Sequence, residues 1–247
     1  HWEDMKDLQI SYLKSGISNQ DVPQDHAFFS SLYSFATNNR IKYVLSGGNT
    51  ATEGIFPSAW HGAAMDGINL RAIQKAFGTR KLKHYPITSF SQYYFKYPIV
   101  KQMRTLRLLN FTRYTKTAAM DELEKRIGYK RYPRKHGESS FTRFFQEYYL
   151  PTRFGMDKRL PHCSSQRVSE QRPSREALDL LNITLYNKVE LERDIQFICR
   201  KLDISRPYFD SLLQSPLRDA NEFANWNVLH RTLKSAQNLI EGITGKK

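Results

Sequence analysis

The chain has only two cysteines, Cys163 and Cys199, and they do not form a Cys-x-x-Cys pair. A zinc ribbon and a disulfide framework are therefore excluded, and we expect a reducing, cytoplasmic location. No apolar run approaches the roughly 20 residues that a membrane span needs, and the N-terminus has no secretory signal. The histidines lack the His-Glu-x-x-His spacing, so the sequence predicts no metal-binding motif.

Positive charge is what the chain has in excess. Its 247 residues include 38 Lys and Arg against 24 Asp and Glu, a formal net charge of +14. This excess indicates an anionic partner, which the charge alone leaves open between nucleic acid, a membrane surface, a nucleotide and a nucleotide-sugar. The length is sufficient for one large domain or two smaller ones with a real core.

The chain starts at His1, without an initiator methionine, and enters helical spacing at once through Met5, Leu8 and Tyr12. Such a start is typical of the middle of a domain. We therefore expect the sequence to be a fragment of a longer protein.

The first half of the chain has an α/β pattern. An apolar stripe predicts a helix over 25–39, with Asp25 or a neighbour as its cap, and a short aliphatic strand over 41–45 follows. A second helix is predicted from about Asp66 to Phe77, ended by Gly78. Residues 85–88 indicate another short, parallel strand. This alternation predicts an α/β fold.

No strand is predicted after about residue 112. A helix spans 117–127, with Thr117 as its cap and Gly128 as its stop. Further helices are predicted from Pro173, over 189–202, from Ser205 and over 223–233. The sequence thus divides into an α/β region, 1–112, and a mostly helical substrate- or partner-binding region, 113–247.

Residues 90–114 combine aromatic side chains with arginines. This composition could stack on nucleic-acid bases. We favour a packed linker, in which the arginines extend their charged ends to water.

Four clusters of polar residues could carry chemistry, and each has a plainer structural explanation. The loop Ser46-Gly47-Gly48 with Asn49, Thr52 and Glu53 suits a nucleotide or a sugar, or is only a tight turn. The segment 21–26 is dense in polar groups that either form a site or cap a helix. The segment 135–142 contains Lys, His, Glu, Ser and Thr, which either form a site or belong to a helix start capped by Ser139 or Ser140. The segment 154–159 is a turn held by Asp157 and Arg159, or contacts substrate.

Several enzyme classes are excluded by the loop sequence. Ser46 precedes its glycines, so the Gly-x-Ser-x-Gly turn of serine hydrolases is missing. No Lys-Ser or Lys-Thr follows the glycines, and the Gly-x-Gly-x-x-Gly of dinucleotide-binding folds is absent, so Walker A and Rossmann sites are excluded.

Six motifs in one order give a more specific result. They are Trp2-Glu3-Asp4-Met5-Lys6-Asp7-Leu8-Gln9, Gln20-Asp21-Val22-Pro23-Gln24-Asp25-His26-Ala27-Phe28-Phe29, Gly47-Gly48-Asn49-x-x-Thr52-Glu53, Phe77-Gly78-Thr79-Arg80, Tyr132-Pro133-x-Lys135-His136-x-Glu138-Ser139-x-Phe141-Thr142 and Phe154-Gly155-x-Asp157-x-Arg159. Over residues 1 to about 200, the chain resembles the N-acetyl sugar amidotransferases of lipopolysaccharide O-antigen biosynthesis, the WbpG-like branch of the PP-loop ATP pyrophosphatases. It departs from them near Cys163-Ser164-Ser165-Gln166-Arg167, where the family usually has Ser-Ser-Leu-Ile.

The resemblance implies a fold, a reaction and partners. The fold would be the C-terminal portion of an adenine-nucleotide α-hydrolase-like parallel-sheet domain followed by a helical region. The family's pyrophosphate-binding Ser-Gly-Gly-x-Asp-Ser loop would lie upstream of this chain. The implied enzyme uses ATP and Mg²⁺ to convert the acetamido group of a nucleotide-linked sugar into an acetamidino group. Its ammonia would come from a glutaminase subunit similar to that of histidine biosynthesis, with a cyclase-like subunit.

The resemblance also implies roles for individual residues. The catalytic candidates are Glu53, His136 and Glu138; the cofactor-binding candidates are Gly47, Gly48, Asn49 and Thr52; the substrate-binding candidates are Lys135, Ser139, Thr142, Asp157 and Arg159. Two rival interpretations remain open, a PP-loop tRNA-modifying enzyme and an inactive fragment or scaffold. Neither cysteine has the neighbouring glycines of a glutaminase nucleophile, so ammonia production is not expected from this chain.

Overall fold

A computed structural model describes residues 1–53, 56–57, 60, 63–131, 139–171 and 173–244. The α-helices are α1 (Trp2–Ser15), α2 (Val22–Asn38), α3 (Thr50–Glu53), α4 (Gly67–Phe77), α5 (Lys116–Ile127), α6 (Ser140–Phe144), α7 (Leu150–Phe154), α8 (Arg159–Val168), α9 (Ser174–Asn182), α10 (Lys188–Leu202), α11 (Arg206–Leu213) and α12 (Asn227–Thr244). The strands are β1 (Tyr43–Leu45) and β2 (Arg104–Leu106); the π-helices are Gln92–Val100 and Phe145–Tyr149; the 3₁₀ turns are Leu108–Phe111 and Ala220–Glu222.

Helix α1 lies between two apolar cores. On one side Leu13 joins the α6–α7 segment and helices α10 and α11, where Phe209 is fully buried. On the other side Leu8 and Tyr12 pack against α4, the start of α2 and Tyr85. The first core therefore contains residues from both ends of the chain, and α1 ties the two halves together.

The helix ends follow capping chemistry, and most predicted helices are confirmed. Asp66 accepts hydrogen bonds from the N–H groups of Ile68 and Asn69 at the start of α4. Gly128 ends α5 in the left-handed conformation that glycine adopts without strain, φ 65°. The predicted Thr117 cap is wrong: α5 begins at Lys116, one residue before Thr117, and Thr115 occupies the N-cap position.

The sheet differs from the prediction. Strands β1 and β2 are parallel, with Tyr43 opposite Arg104 and Leu45 opposite Leu106. The strand predicted over 85–88 is wrong: that segment pairs with no strand, and tertiary hydrogen bonds hold it instead. The carboxylate of Asp4 accepts the N–H groups of His84 and Tyr85. The fold is mixed α/β, mostly helical, with a small parallel sheet.

The aromatic segment 90–100 forms a π-helix that packs within the protein. The rings of Phe90, Tyr93 and Tyr94 lie 5.7, 5.7 and 5.4 Å from the ring of Trp226. These aromatic side chains thus pack against Trp226, the residue just before α12, as the packed-linker interpretation predicts.

Across the described ranges, no helix is both long enough and apolar enough to span a bilayer.

Candidate functional site

The glycine loop after β1 is organised by Asn49. The side-chain oxygen of Asn49 accepts hydrogen bonds from the N–H (2.9 Å) and the hydroxyl (3.1 Å) of Thr52, and both residues are buried. The N–H of Gly48 donates to the hydroxyl of Ser46 at 3.2 Å. Asn49 and Thr52 therefore hold the loop and the short helix α3 in shape.

Gly47 leaves room for a ligand on one side of this loop. A Cβ added at Gly47 would meet no atom within 4 Å, whereas one added at Gly48 would lie 3.3 Å from Oγ of Ser46 and 4.0 Å from Nε of Arg107. The open face beside a guanidinium suits one phosphate group. A full triphosphate cradle does not fit, because the N–H groups of Gly48 and Thr52 are already engaged within the loop.

Helix α8 connects the glycine loop to the C-terminal half of the chain. Nδ1 of His162 lies 3.2 Å from the carbonyl oxygen of Thr52, and the hydroxyl of Ser169 donates to the carbonyl of Ala51 at 3.2 Å. The ring of His162 also meets the ring of Phe56 edge-on, with centroids 5.2 Å apart. Phe56 in turn faces the next element of the site.

A buried polar cluster lies at the start of α8. Nζ of Lys158 is 5.3 Å from the centre of the Phe56 ring and 5.0 Å from that of Phe145. The same ammonium group interacts electrostatically with the carboxylates of Asp21 and Asp25, at the start of α2. Three segments that are distant in sequence thus meet around one lysine.

Asp21 is the least satisfied member of this cluster. It occupies the N-cap position of α2, yet its side chain makes no capping hydrogen bond. The residue is 8% exposed, and among the described residues its Oδ1 has no hydrogen-bond partner. The prediction that the side chain of Asp25 or a neighbour caps this helix is therefore wrong. Helix α2 begins at Val22, before the predicted start, and its first turn already contains Pro23.

Burial controls the protonation of the cluster. Desolvation raises the pKa of Asp21 to about 7, and the charge of Asp25 adds to this effect, while Lys158, Gln146 and Thr142 oppose it. Burial also raises the pKa of Asp25, against the attraction of Lys158. Burial lowers the pKa of Lys158, and the two carboxylates oppose that shift.

The C-terminal wall of the cluster is a helix with a π turn. Ser139 caps α6 by accepting the N–H of Thr142 at 3.2 Å, and its hydroxyl lies 3.0 Å from that of Thr142. The π-helix that follows carries Phe145 and Gln146 to the cluster. Such π turns inside α-helices occur often at functional sites.

Other predicted residues are used within the fold. Arg159 pairs with Asp157 at 2.7 Å, and it donates to the carbonyls of Leu180 and Ile183 at the end of α9. Burial raises the pKa of Tyr114, and the charge of Glu53 adds to this rise. Lys135, His136 and Glu138 lie outside the described residues.

Sequence reasoning omitted Asp21, Asp25 and Lys158 from the site. Two signals pointed to them, the polar density of 21–26 and the Asp-Lys-Arg run at 157–159. Neither signal showed that the two segments meet. His26, from the same segment, is structural: its two ring nitrogens bond the carbonyl of Ala64 and the N–H of Thr88.

The residues of the site fit a phosphate group of ATP better than they fit Mg²⁺. One phosphate group fits at Arg107 and the open face of Gly47, as described above. In the described part of the chain, no group of three or more His, Cys, Asp and Glu side chains is placed to hold a metal ion. Mg²⁺ usually keeps few protein ligands and binds through substrate phosphates. The residues present thus fit a nucleotide phosphate, with Mg²⁺ held mainly by the nucleotide.

Comparison with known proteins identifies the class of the C-terminal part. Residues 138–237 match the C-terminal domain of the family described as LPS biosynthesis protein WbpG-like. No curated protein and no solved structure matches the chain. The match supports a WbpG-like C-terminal domain over these residues and suggests a role in lipopolysaccharide biosynthesis. It covers Thr142, Gln146 and Lys158, whereas Asp21 and Asp25 precede it.

Proposed function

We propose that this chain contributes to the active site of an ATP-dependent amidotransferase that converts the acetamido group of a nucleotide-linked sugar into an acetamidino group during lipopolysaccharide biosynthesis. One observation carries the proposal. A continuous line of contacts leads from the glycine loop through His162 and Phe56 to Lys158, whose ammonium group interacts electrostatically with the carboxylates of buried Asp21 and half-buried Asp25. The site thus has a phosphate-compatible end and a desolvated, proton-active end.

The reaction needs both ends. ATP supplies the α-phosphate that the amide oxygen attacks, with release of pyrophosphate; ammonia then forms the new C–N bond, and AMP leaves. An activated amide hydrolyses easily, so the second step requires a site from which water is largely excluded. Thr142 and Asp21 are buried, and the rings of Phe56 and Phe145 cover Lys158.

The residues of the chain have distinct parts in this scheme. Arg107, beside Gly48, would bind a phosphate group of the nucleotide. Lys158 would supply positive charge near the reacting amide, where negative charge passes to the departing phosphate oxygen. Asn49 and Thr52 keep the loop in place. The proposal also includes two features that the sequence resemblance implies. They are an adenine-nucleotide α-hydrolase-like architecture and a glutaminase partner with a cyclase-like subunit.

The decisive assay uses the protein as its gene encodes it, with ATP, Mg²⁺, a UDP-N-acetyl sugar and ¹⁵N-labelled ammonium chloride. We expect AMP, pyrophosphate and a sugar nucleotide that carries ¹⁵N in place of the amide oxygen, detected by mass spectrometry. Lys158→Met should lower the rate at least about a hundredfold, since one preorganised charge contributes on that scale. Lys96→Met, an exposed lysine on the Gln92–Val100 π-helix, should keep the wild-type rate.

Three results would count against the proposal. AMP formation that does not depend on the sugar nucleotide would remove the sugar amide as substrate. AMP formation that depends on added tRNA instead would support the rival tRNA-modifying enzyme. Equal rates for Lys158→Met and Lys96→Met would remove the buried cluster from the reaction.

A further inference from the structure

The charges around Lys158 do not balance. Two carboxylates, those of Asp21 and Asp25, face a single ammonium group. If both are ionised, the cluster carries one surplus negative charge. Buried charges are stable only when they are paired and hydrogen-bonded, so a surplus of this kind favours either a proton or a small cation.

The cluster also lacks one donor. Asp21 is 8% exposed, and no described residue donates to its Oδ1. Its position at the start of α2 would permit a bond to the helix backbone, but the side chain makes none. A buried acceptor without a donor costs free energy, and a ligand with an N–H or O–H group removes that cost.

We propose that the Asp21–Asp25–Lys158 cluster binds an ammonium ion and that Asp21 takes a proton from it. This inference rests on the proposed amidotransferase function. The ammonium ion donates an N–H to Oδ1 of Asp21 and supplies the missing positive charge. The proton then passes from nitrogen to the Asp21 carboxylate, which leaves neutral ammonia and a neutral carboxylic acid. The freed lone pair of ammonia forms the C–N bond to the activated amide.

Ammonium fits this place better than a divalent metal ion. One surplus negative charge matches a monovalent cation, and Mg²⁺ would leave a positive surplus. The described residues hold no group of three or more metal-type ligands here. The aromatic rings of Phe56 and Phe145 already bind one ammonium group, that of Lys158, through their faces. Potassium has a similar charge but donates no hydrogen bond to Oδ1.

The protonation behaviour of the carboxyl group agrees with the transfer. Burial and the charge of Asp25 raise the pKa of Asp21 to about 7. A base near the working pH accepts a proton and later releases it without a large barrier. The charged groups that act on Asp21 are Asp25 in α2 and Lys158 at the N-cap of α8.

The experiment separates the two half-reactions. Exchange of labelled pyrophosphate into ATP, with the UDP-N-acetyl sugar and without ammonium, reports activation of the amide. Initial rates of AMP formation against ammonium chloride, at ionic strength held constant with sodium chloride, report the ammonia step. For Asp21→Asn we expect the KM for ammonium to rise about ten- to a hundredfold, the effect of one lost charged hydrogen bond, and to rise by a clearly larger factor than the exchange rate falls.

The controls decide between the possible outcomes. Asp179→Asn, an exposed carboxylate on α9, should leave both readouts unchanged. Loss of exchange and product formation in equal measure, in a variant with wild-type circular dichroism, would show that Asp21 is only structural and would overturn the proposal. An unchanged KM for ammonium would overturn it as well. Potassium chloride that competes with ammonium in wild type but not in Asp21→Asn would support it. No exchange in the wild-type protein would instead refute the proposed function itself.

Discussion

Asp194 and Asp21 are both buried aspartates whose carboxylates interact with a cationic side chain, but they are satisfied to very different degrees. Arg143 holds Asp194 through Nε and Nη2, each at 2.7 Å, and the hydroxyl of Tyr186 donates to the same carboxylate. Asp21 has one oxygen without a donor and shares its lysine with Asp25. A fully paired carboxylate fastens α6 to α10, whereas the underpaired one is a site for a ligand or a proton.

The largest expected effect is on the Asp194 side of this comparison. Asp194→Asn removes the charge that compensates the partly buried guanidinium of Arg143, and it weakens the bidentate contact. We expect the free energy of unfolding to fall by about 3–5 kcal/mol, measured by urea denaturation at pH 7. The exposed Asp179→Asn should change it by less than about 0.5 kcal/mol. A loss below about 1 kcal/mol for Asp194→Asn would mean that the pair adds little to the α6–α10 contact.

The contribution of Asp21 to the free energy of unfolding should depend on pH. Its pKa is about 7 in the folded protein, against 3.8 as the ordinary value of an aspartate. The folded state therefore holds this proton more tightly, so the contribution to stability is complete below about pH 4 and is lost as the pH rises to 7. The shift sets an upper limit of about 4 kcal/mol for this loss.

Asp21→Asn removes that pH dependence. The difference in unfolding free energy between the variant and the wild type should move in favour of the variant from pH 4 to pH 8. Urea denaturation at four pH values measures it. If the unfolding free energies of variant and wild type stay parallel across this pH range, burial does not raise the pKa of Asp21. The contrast with Asp194 would then disappear.

The smallest effect concerns Ser139, for which the sequence suggested substrate binding and the structure shows a helix cap. Ser139→Ala removes the hydrogen bond to the N–H of Thr142 and should cost about 1 kcal/mol of stability. Its KM for the UDP-N-acetyl sugar should stay within about twofold of wild type. Ser140→Ala, one residue further into α6, is the matched control for both quantities. A large rise in KM with unchanged stability would restore the substrate-binding role.

Helix boundaries were predictable where a local signal fixes them. Asp66 and Gly78 bound α4, Gly128 ends α5, and Ser205 caps α11, because caps and left-handed glycines act within a few residues. The pairing of β2 with β1 was not predictable, since Arg104–Leu106 lies within a basic, aromatic segment with no alternation. The segment 85–88 does not form a strand because Asp4 accepts the N–H of Tyr85 and His26 accepts the N–H of Thr88.

The site was predictable only in part, for a similar reason. The glycine loop is a local pattern, and Asn49 and Thr52 meet there as the sequence suggested. The meeting of Asp21 with Lys158 depends on how α1 joins the two cores, which no short window of sequence contains. Local patterns indicated that segments 21–26 and 154–159 are polar, but the tertiary fold decides that they face one another.

The two-stranded sheet has a consequence for handling the protein. Tyr43 and Leu45 are 60% and 68% exposed, and no third strand pairs with β1 or β2 in the described part of the chain. Parallel sheets are normally covered on both faces, and open edges invite pairing with another chain. Anything that adds a strand there stabilises the fold by mass action. In concentrated solution the available binders are other copies of the chain, so association through this edge should grow with concentration.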